Sequence, residues 1–154
     1  MLVARGRIEN RQAIVKIGFQ PFIPETYQVQ PSSPSIEIPV HDYRALLDTG
    51  AQRTCLCRGV IAKEGLRHHG KRPIQNVHGV ERHYLYWVHV GFVCESVSAL
   101  TDHSGTTTYF GLPDPIEVID IADNYWFDAI IGMDILSRCN LTIDREGSFA
   151  LRLE

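Results

Sequence analysis

Short runs of β-branched and aromatic residues, separated by turn residues at close intervals, constrain this chain more than any other feature of its sequence. The runs Gln12–Phe19, Tyr43–Leu47 and Ile116–Ile121 have the length and composition of strands. Helical periodicity is scarce, and only Val60–Glu64 and Asp134–Cys139 are predicted as helix. The sequence therefore predicts an all-β fold with one short helix near the C-terminus.

Prolines and polar residues mark two long loops between the predicted strands. Five of the eight prolines fall between Pro21 and Pro39, and Pro21–Ser35 is predicted as an exposed loop. The polar residues Ser96–Thr108 are predicted as a second loop. Apolar and β-branched content predicts the other strands at Ile36–Val40, the start of Cys55–Leu66, Arg72–Val77, Glu81–Phe92, Asp128–Ile131, Asn140–Asp144 and Ser148–Leu153.

Charge and hydropathy argue against several classes of function. The chain has 15 Lys and Arg against 18 Asp and Glu and no basic run, so nucleic acid is not expected as a partner. No apolar stretch approaches the roughly 18 residues of a membrane-spanning helix, and the first residues lack the apolar core of a signal peptide. We therefore expect a cytoplasmic protein with no membrane partner, in which four reduced cysteines pack in the core: Cys55, Cys57, Cys94 and Cys139.

The segment Arg44–Ala51 (RALLDTGA) offers a reactive group in a defined position. Three apolar residues run directly into Asp48, so a buried strand is expected to end with a carboxylate at its tip. Gly50 permits a close backbone approach, and Thr49 offers a hydroxyl for a local or an intermolecular hydrogen bond. Taken alone, an Asp-Thr-Gly sequence after a strand is usually only a turn, and both interpretations stay open at this point.

A second motif later in the chain favours the catalytic interpretation. Phe127–Leu136 (FDAIIGMDIL) is an apolar strand that ends in glycine before a short helix. In this order and spacing, ALLDTGA and IIGMDIL resemble the retropepsin-like aspartic proteases, the single-lobed relatives of pepsin. The Gly-Met-Asp-Ile-Leu ending is more similar to cellular and bacterial members than to viral ones, and the resemblance extends from about Ile36 to Leu153.

The resemblance implies a fold and a set of site residues. The fold is a single-lobed closed barrel with a flap hairpin over the cleft, in one domain over residues 1–154. Its N-terminal strand and loop occupy residues 1–35, and the core that matches the family occupies 36–153. Asp48 matches the catalytic aspartate. The other implied residues are the active-site loop Thr49, Gly50 and Ala51, the flap Val77, His78 and Gly79, and the structural segment Ile130, Ile131 and Gly132.

The resemblance also implies a homodimer, because this chemistry needs two carboxylates that share one proton. The chain contains one Asp-Thr-Gly sequence, so the second Asp48 is expected from another copy across a two-fold axis. Which terminal strands pair across this interface stays open, and Ser148–Leu153 is the candidate. The substrate implied is an extended polypeptide, and no metal or organic cofactor is required.

Several residues depart from the viral pattern and leave other functions open. Gln52 and Arg53 stand where viral members have acidic residues, and Met133 and Asp134 follow the glycine where those members have arginine. We expect an Arg53–Asp134 ion pair in place of the viral one. The changed surroundings of Asp48 leave room for an alternative, a weakly active or inactive module for dimerisation or peptide binding. A ligand-binding small β-barrel is a third class, which explains the strands but not the paired motifs.

Histidines and aromatic residues complete the candidates. Seven histidines are present without a His-Glu-x-x-His or Cys-x-x-Cys sequence, so no metal site is expected. Trp126 and Phe127 directly precede the second motif and are predicted to pack close to the cleft.

Overall fold

A computed structural model describes residues 2–21, 41–96 and 107–153 of the chain. The predicted loop from residue 22 onward, the predicted strand Ile36–Val40 and residues 97–106 lie outside this range. The described residues form one eleven-stranded sheet and two short helices, α1 (Arg58–Glu64) and α2 (Met133–Leu136). The strands are β1 (Leu2–Glu9), β2 (Gln12–Pro21), β3 (Tyr43–Leu47), β4 (Cys55–Cys57), β5 (Gly70–Asn76), β6 (Gly79–Ser96), β7 (Thr107–Gly111), β8 (Ile116–Ile121), β9 (Ala129–Ile131), β10 (Cys139–Ile143) and β11 (Ser148–Leu153).

The all-β prediction is confirmed, and β3, β8 and β11 have the predicted bounds. Helix α1 ends at Gly65, which takes the left-handed conformation (φ 63°) that glycine adopts at low cost. The second helix was predicted over Asp134–Cys139, but it begins and ends earlier. Cys139 already pairs with Leu153 in the β10–β11 ladder, so the chain cannot continue as a helix there.

Two strands were missed by the sequence analysis. The first is β1, which pairs with β11 from Leu2 to Arg7. The second is β7, because the loop predicted at Ser96–Thr108 is wrong at both ends. Ser96 belongs to β6, and Thr107 and Thr108 begin β7, which pairs with β6.

The strand pairings return to their starting point. They run from β2 through β3, β9, β4, β8 and β6, and β6 pairs again with β2. Two of these pairs, β3–β9 and β4–β8, are parallel. Strand β11 lies between β10 and β1 and pairs with both, so the prediction that Ser148–Leu153 pairs across a dimer is wrong. Its backbone hydrogen bonds are already made within the chain.

One main apolar core fills the space between these strands. Its fully buried side chains include Ile17, Val90 and Phe92 from the two longest strands. The predicted core position of the cysteines is confirmed for three of them, and Cys139 is partly exposed. Burial raises the pKa of Cys55 to about 12 and that of Cys57 and Cys94 to about 11. Within the described residues, no helix has the length and apolar character needed to cross a membrane.

Candidate active site

Asp48 lies at the end of β3 and is held by its own turn. Its backbone N–H donates to the carbonyl of Ile131 (3.0 Å), and its carbonyl accepts from the N–H of Ala51 (3.2 Å). The carboxylate oxygen Oδ1 accepts a hydrogen bond from the N–H of Gly50 at 2.8 Å. Within the described part of the chain, Oδ2 accepts no hydrogen bond. One oxygen of the carboxylate is therefore oriented by the backbone of its own turn.

The turn itself leaves little room near the carboxylate. A Cβ atom on Gly50 would lie 3.1 Å from Asp48 Oδ1, closer than ordinary packing allows. Thr49 and Gly50 are both exposed, and Ala51 and Asp48 are partly buried. The predicted active-site loop therefore presents its polar groups at the surface of the single chain.

The second motif lies directly beneath this loop. Strand β9 runs parallel to β3 with Ile131 opposite Leu47, and Gly132 follows at its end. A Cβ on Gly132 would lie 2.6 Å from the carbonyl carbon of Arg53 and 2.9 Å from the carbonyl oxygen of Ala51. The N–H of Met133 donates to the same Ala51 oxygen at 2.8 Å. Only glycine therefore lets the two segments approach this closely.

A buried hydroxyl that the sequence analysis missed joins the two segments. Thr54 is fully buried, and its Oγ1 donates to Asp134 Oδ1 (2.8 Å) and accepts from the N–H of Gly132 (3.2 Å). Its backbone N–H donates to Asp134 Oδ2 at 2.9 Å. The predicted Arg53–Asp134 ion pair is wrong, because the Asp134 carboxylate serves Thr54 and Arg53 pairs with Glu117 instead. The local signal was a hydroxyl residue directly before the apolar strand β4.

The predicted hairpin is confirmed as a structure. Strands β5 and β6 pair from Gly70–Leu85 to Asn76–Gly79, which leaves Val77 and His78 as a two-residue turn. Gly79 has φ 122°, a conformation that other residues rarely adopt, and Val77 is 95% exposed. Any contact of these tip residues with a substrate stays a prediction.

The aromatic residues before the second motif divide between surface and core. Trp126 is half exposed, and Phe127 packs against the main core. Trp126 borders a cleft of about 450 Å³ that is also lined by Arg7, Lys16 and Arg44, and Asp48 is not among its lining residues. The predicted proximity of Trp126 to the Asp48 cleft therefore has no support within one chain.

Asp120 on β8 is a buried carboxylate that supports the base of the hairpin. It accepts hydrogen bonds from Arg58 Nε (3.0 Å) and from the N–H of Tyr84 (2.8 Å), and His83 lies against its backbone carbonyl. Burial acts to raise the pKa of Asp120, but the hydrogen bonds from Arg58 and Tyr84 outweigh it and hold the pKa below its ordinary value. Across the described residues, no three His, Cys, Asp or Glu side chains group as metal ligands.

Comparison with known proteins shows which solved structures have a similar fold. No family model and no curated protein matches the sequence. Among solved structures, the chain is similar to a retropepsin-like aspartic protease from Rickettsia conorii, with a TM-score of 0.53 and 16% identity over 99% of this chain and 89% of that chain. The chain has a retropepsin-like fold. A retroviral protease-like domain of Ddi1 from Leishmania major also matches, at 19% identity over 69% of this chain and 74% of that one, with a TM-score of 0.36.

The retropepsin-like fold confirms the expectation drawn from the two motifs. The similarity to the Rickettsia conorii structure covers nearly the whole chain and therefore includes β1 and β2, which precede the segment that the motifs identified.

Proposed function

We propose that this protein is an aspartic endopeptidase that acts as a homodimer, with Asp48 of each copy in one active site. The observation that carries the proposal is the position of Asp48. Its carboxylate stands at the tip of a buried strand, with Oδ1 held by the N–H of Gly50, on a support formed by Ile131 and Gly132. The retropepsin-like fold and the similarity to a structure named as an aspartic protease support the same chemistry.

The reaction explains why two copies are needed. One ionised Asp48 carboxylate takes a proton from water while its protonated partner donates a hydrogen bond to the scissile carbonyl. The hydroxyl oxygen bonds to the carbonyl carbon, the C–N bond then breaks, and the leaving nitrogen receives a proton from the pair. Because two adjacent carboxylates cannot both ionise comfortably, they titrate as a unit. A single chain supplies one of them, so a two-fold dimer completes the site.

The remaining residues take supporting roles in this proposal. The loop Thr49, Gly50 and Ala51 orients the carboxylate, and the segment Ile130, Ile131 and Gly132 supports the loop from below. The hairpin tip Val77, His78 and Gly79 closes over an extended polypeptide and excludes water. The carboxylate pair activates water directly, so the proposed reaction needs no cofactor. The cytoplasmic location also stays a prediction.

The test is cleavage of a diverse peptide library between pH 3 and 8 by wild type and by Asp48→Asn. Asp114→Asn is the matched control, because it removes one carboxylate from a side chain that is 71% exposed. We expect Asp48→Asn to lower kcat/KM by about a thousandfold or more, since it removes the acid–base group, and the control to match wild type. Sedimentation of both variants checks that the dimer persists.

The other possible results each favour a different function. Equal cleavage by wild type and Asp48→Asn places the activity elsewhere and contradicts the proposal. If neither wild type nor Asp48→Asn cleaves any peptide and both proteins are dimers, the alternative of a binding module replaces the proposal. A monomer without activity favours the ligand-binding barrel.

A further inference from the structure

Glu117 on β8 lies where the side chains of two arginines and one histidine, from two segments of the chain, meet. Its Oε1 lies 2.9 Å from Arg53 Nη1 and 3.8 Å from Arg72 Nη1, and its Oε2 lies 3.1 Å from His69 Nε2. The Glu117 side chain is 18% exposed, whereas its three partners are between 37% and 53% exposed. One largely buried carboxylate therefore holds three side chains that reach it from the surface.

The first partner, Arg53, belongs to the Asp48 loop, by which we mean residues 48–54. Arg53 follows the Asp-Thr-Gly sequence, and its carbonyl carbon is the atom that a Cβ on Gly132 would meet at 2.6 Å. Its position is therefore fixed on one side by the backbone of the second motif and on the other by Glu117. Arg53 therefore connects Glu117 to the segment that supports Asp48.

The other two partners belong to the β5–β6 hairpin. Arg72 is on β5, and His69 directly precedes that strand, with its N–H donating to the carbonyl of Leu85 at 2.9 Å. The His69 ring also stacks on Trp87, with ring centroids 5.6 Å apart, and Trp87 is the residue directly opposite Glu117 in the β6–β8 pair. The hairpin base is thus attached to Glu117 by a charge contact, a ring stack and a strand pairing.

The balance of charge makes Glu117 hard to replace. Two guanidinium groups, which stay charged at all ordinary pH values, lie within 4 Å of the same carboxylate oxygen. Without that oxygen the two like charges would face each other, and each long side chain would regain its freedom to move. Removing Glu117 is therefore expected to loosen both segments together.

We propose that Glu117 is a positioning residue that fixes the β5–β6 hairpin relative to the Asp48 loop. The proposal deepens the proposed function, on which it rests for the role of the hairpin as a cover over the substrate. Glu117 acts through Arg53, Arg72 and His69.

Amide hydrogen exchange of the Asp48→Asn protein, with and without Glu117→Gln, tests the proposal without a substrate. The glutamine keeps the size of the side chain and removes its charge. We expect amides in residues 49–54 and in residues 70–76 to exchange about three to ten times faster, with the rest of the sheet unchanged. Asp114→Asn is the control, because its contact with Arg138 at 3.5 Å is largely exposed, and it should change neither segment.

Two single variants separate the arms of the cluster. Arg53→Gln should accelerate exchange in residues 49–54 alone, and Arg72→Gln in residues 70–76 alone. Glu117→Asp, which keeps the charge, should restore part of the protection that Glu117→Gln loses. In the catalytically competent protein, Glu117→Gln should raise KM more than it lowers kcat, because the hairpin is proposed to bind substrate.

The proposal is overturned if Glu117→Gln changes exchange in one segment only or in neither. Equal acceleration over the whole sheet also overturns it, because Glu117 then only stabilises the fold. The exchange measurement does not depend on proteolysis. A protein that cleaves no peptide would contradict the proposed function, while the coupling of the two segments would still be measured.

Discussion

Replacing Thr54 with valine removes a buried hydroxyl while nearly preserving the shape of the side chain. The hydroxyl donates to a carboxylate oxygen of Asp134 and accepts from the N–H of Gly132. A hydrogen bond to a charged group contributes about 1.5–3 kcal/mol, and a buried N–H left without a partner costs about 1–3 kcal/mol. Asp134 retains the N–H groups of Thr54 and Ile135 as donors, which limits its share of the loss. We therefore expect Thr54→Val to lower the free energy of unfolding by about 3 kcal/mol.

The assay is urea unfolding followed by circular dichroism, at one protein concentration because the stability of the proposed dimer depends on concentration. For a domain of this length, a loss of about 3 kcal/mol also lowers Tm by about 6–12 °C. Thr54→Ser is the matched control, since it keeps the hydroxyl and loses one methyl group, at a cost of about 1 kcal/mol.

Two outcomes would refute this reasoning. If Thr54→Val unfolds within about 1 kcal/mol of wild type, the hydroxyl does not stabilise the contact between the two motifs. If Thr54→Ser is as unstable as Thr54→Val, the methyl group rather than the hydroxyl is responsible.

Two further predictions follow from the contacts around the site. Gly132→Ala places a Cβ within 3 Å of backbone atoms and should lower the free energy of unfolding in urea by about 1–3 kcal/mol. Gly70→Ala is the control and should be tolerated, because the nearest atom to its added Cβ is 3.9 Å away. Equal stability of the two variants would contradict this prediction. The pKa of Asp120 is lower in the folded protein than its ordinary 3.8, so its stabilising contribution is present above that value and is lost as the pH falls through the folded pKa. Wild type should therefore lose stability between pH 5 and pH 2 more steeply than Asp120→Asn, and parallel pH profiles would show that the Arg58 contact contributes nothing.

The sequence predicted the strands and helix ends that depend on residues close together in the chain. The run Ala45–Leu47 is apolar because Ala45 and Leu47 pack in the core, and its three residues pair with β9. The strand and its terminal carboxylate were therefore recognisable from the sequence. Gly65 ends α1 because only a glycine takes the left-handed conformation there at low cost.

The failures all depend on contacts between distant residues. Strand β1 was missed because Gly6 interrupts its apolar pattern. Gly6 is glycine because the ring of Phe149 occupies the space of its side chain, 2.7 Å from an added Cβ. The Arg53–Asp134 pair was inferred from charge alone, and it failed because a buried hydroxyl and a second carboxylate compete for the same groups. The sequence contains no local sign that Glu117 on β8 meets Arg53 of the Asp48 loop and Arg72 of β5.

The support beneath Asp48 comes from a part of the chain that is synthesised much later. Thr54 and Asp134 are separated by 80 positions, and β9 pairs with β3 in parallel, which no tight turn can arrange. At about 5–20 residues per second, a ribosome needs roughly 4–16 s to make that interval. Contacts of such long range also form slowly because loop closure precedes them. A nascent chain therefore carries the Asp-Thr-Gly sequence for seconds without the rigid Asp48 carboxylate on which the proposed hydrolysis depends. The proposed active site forms only after nearly all of the sheet has been made.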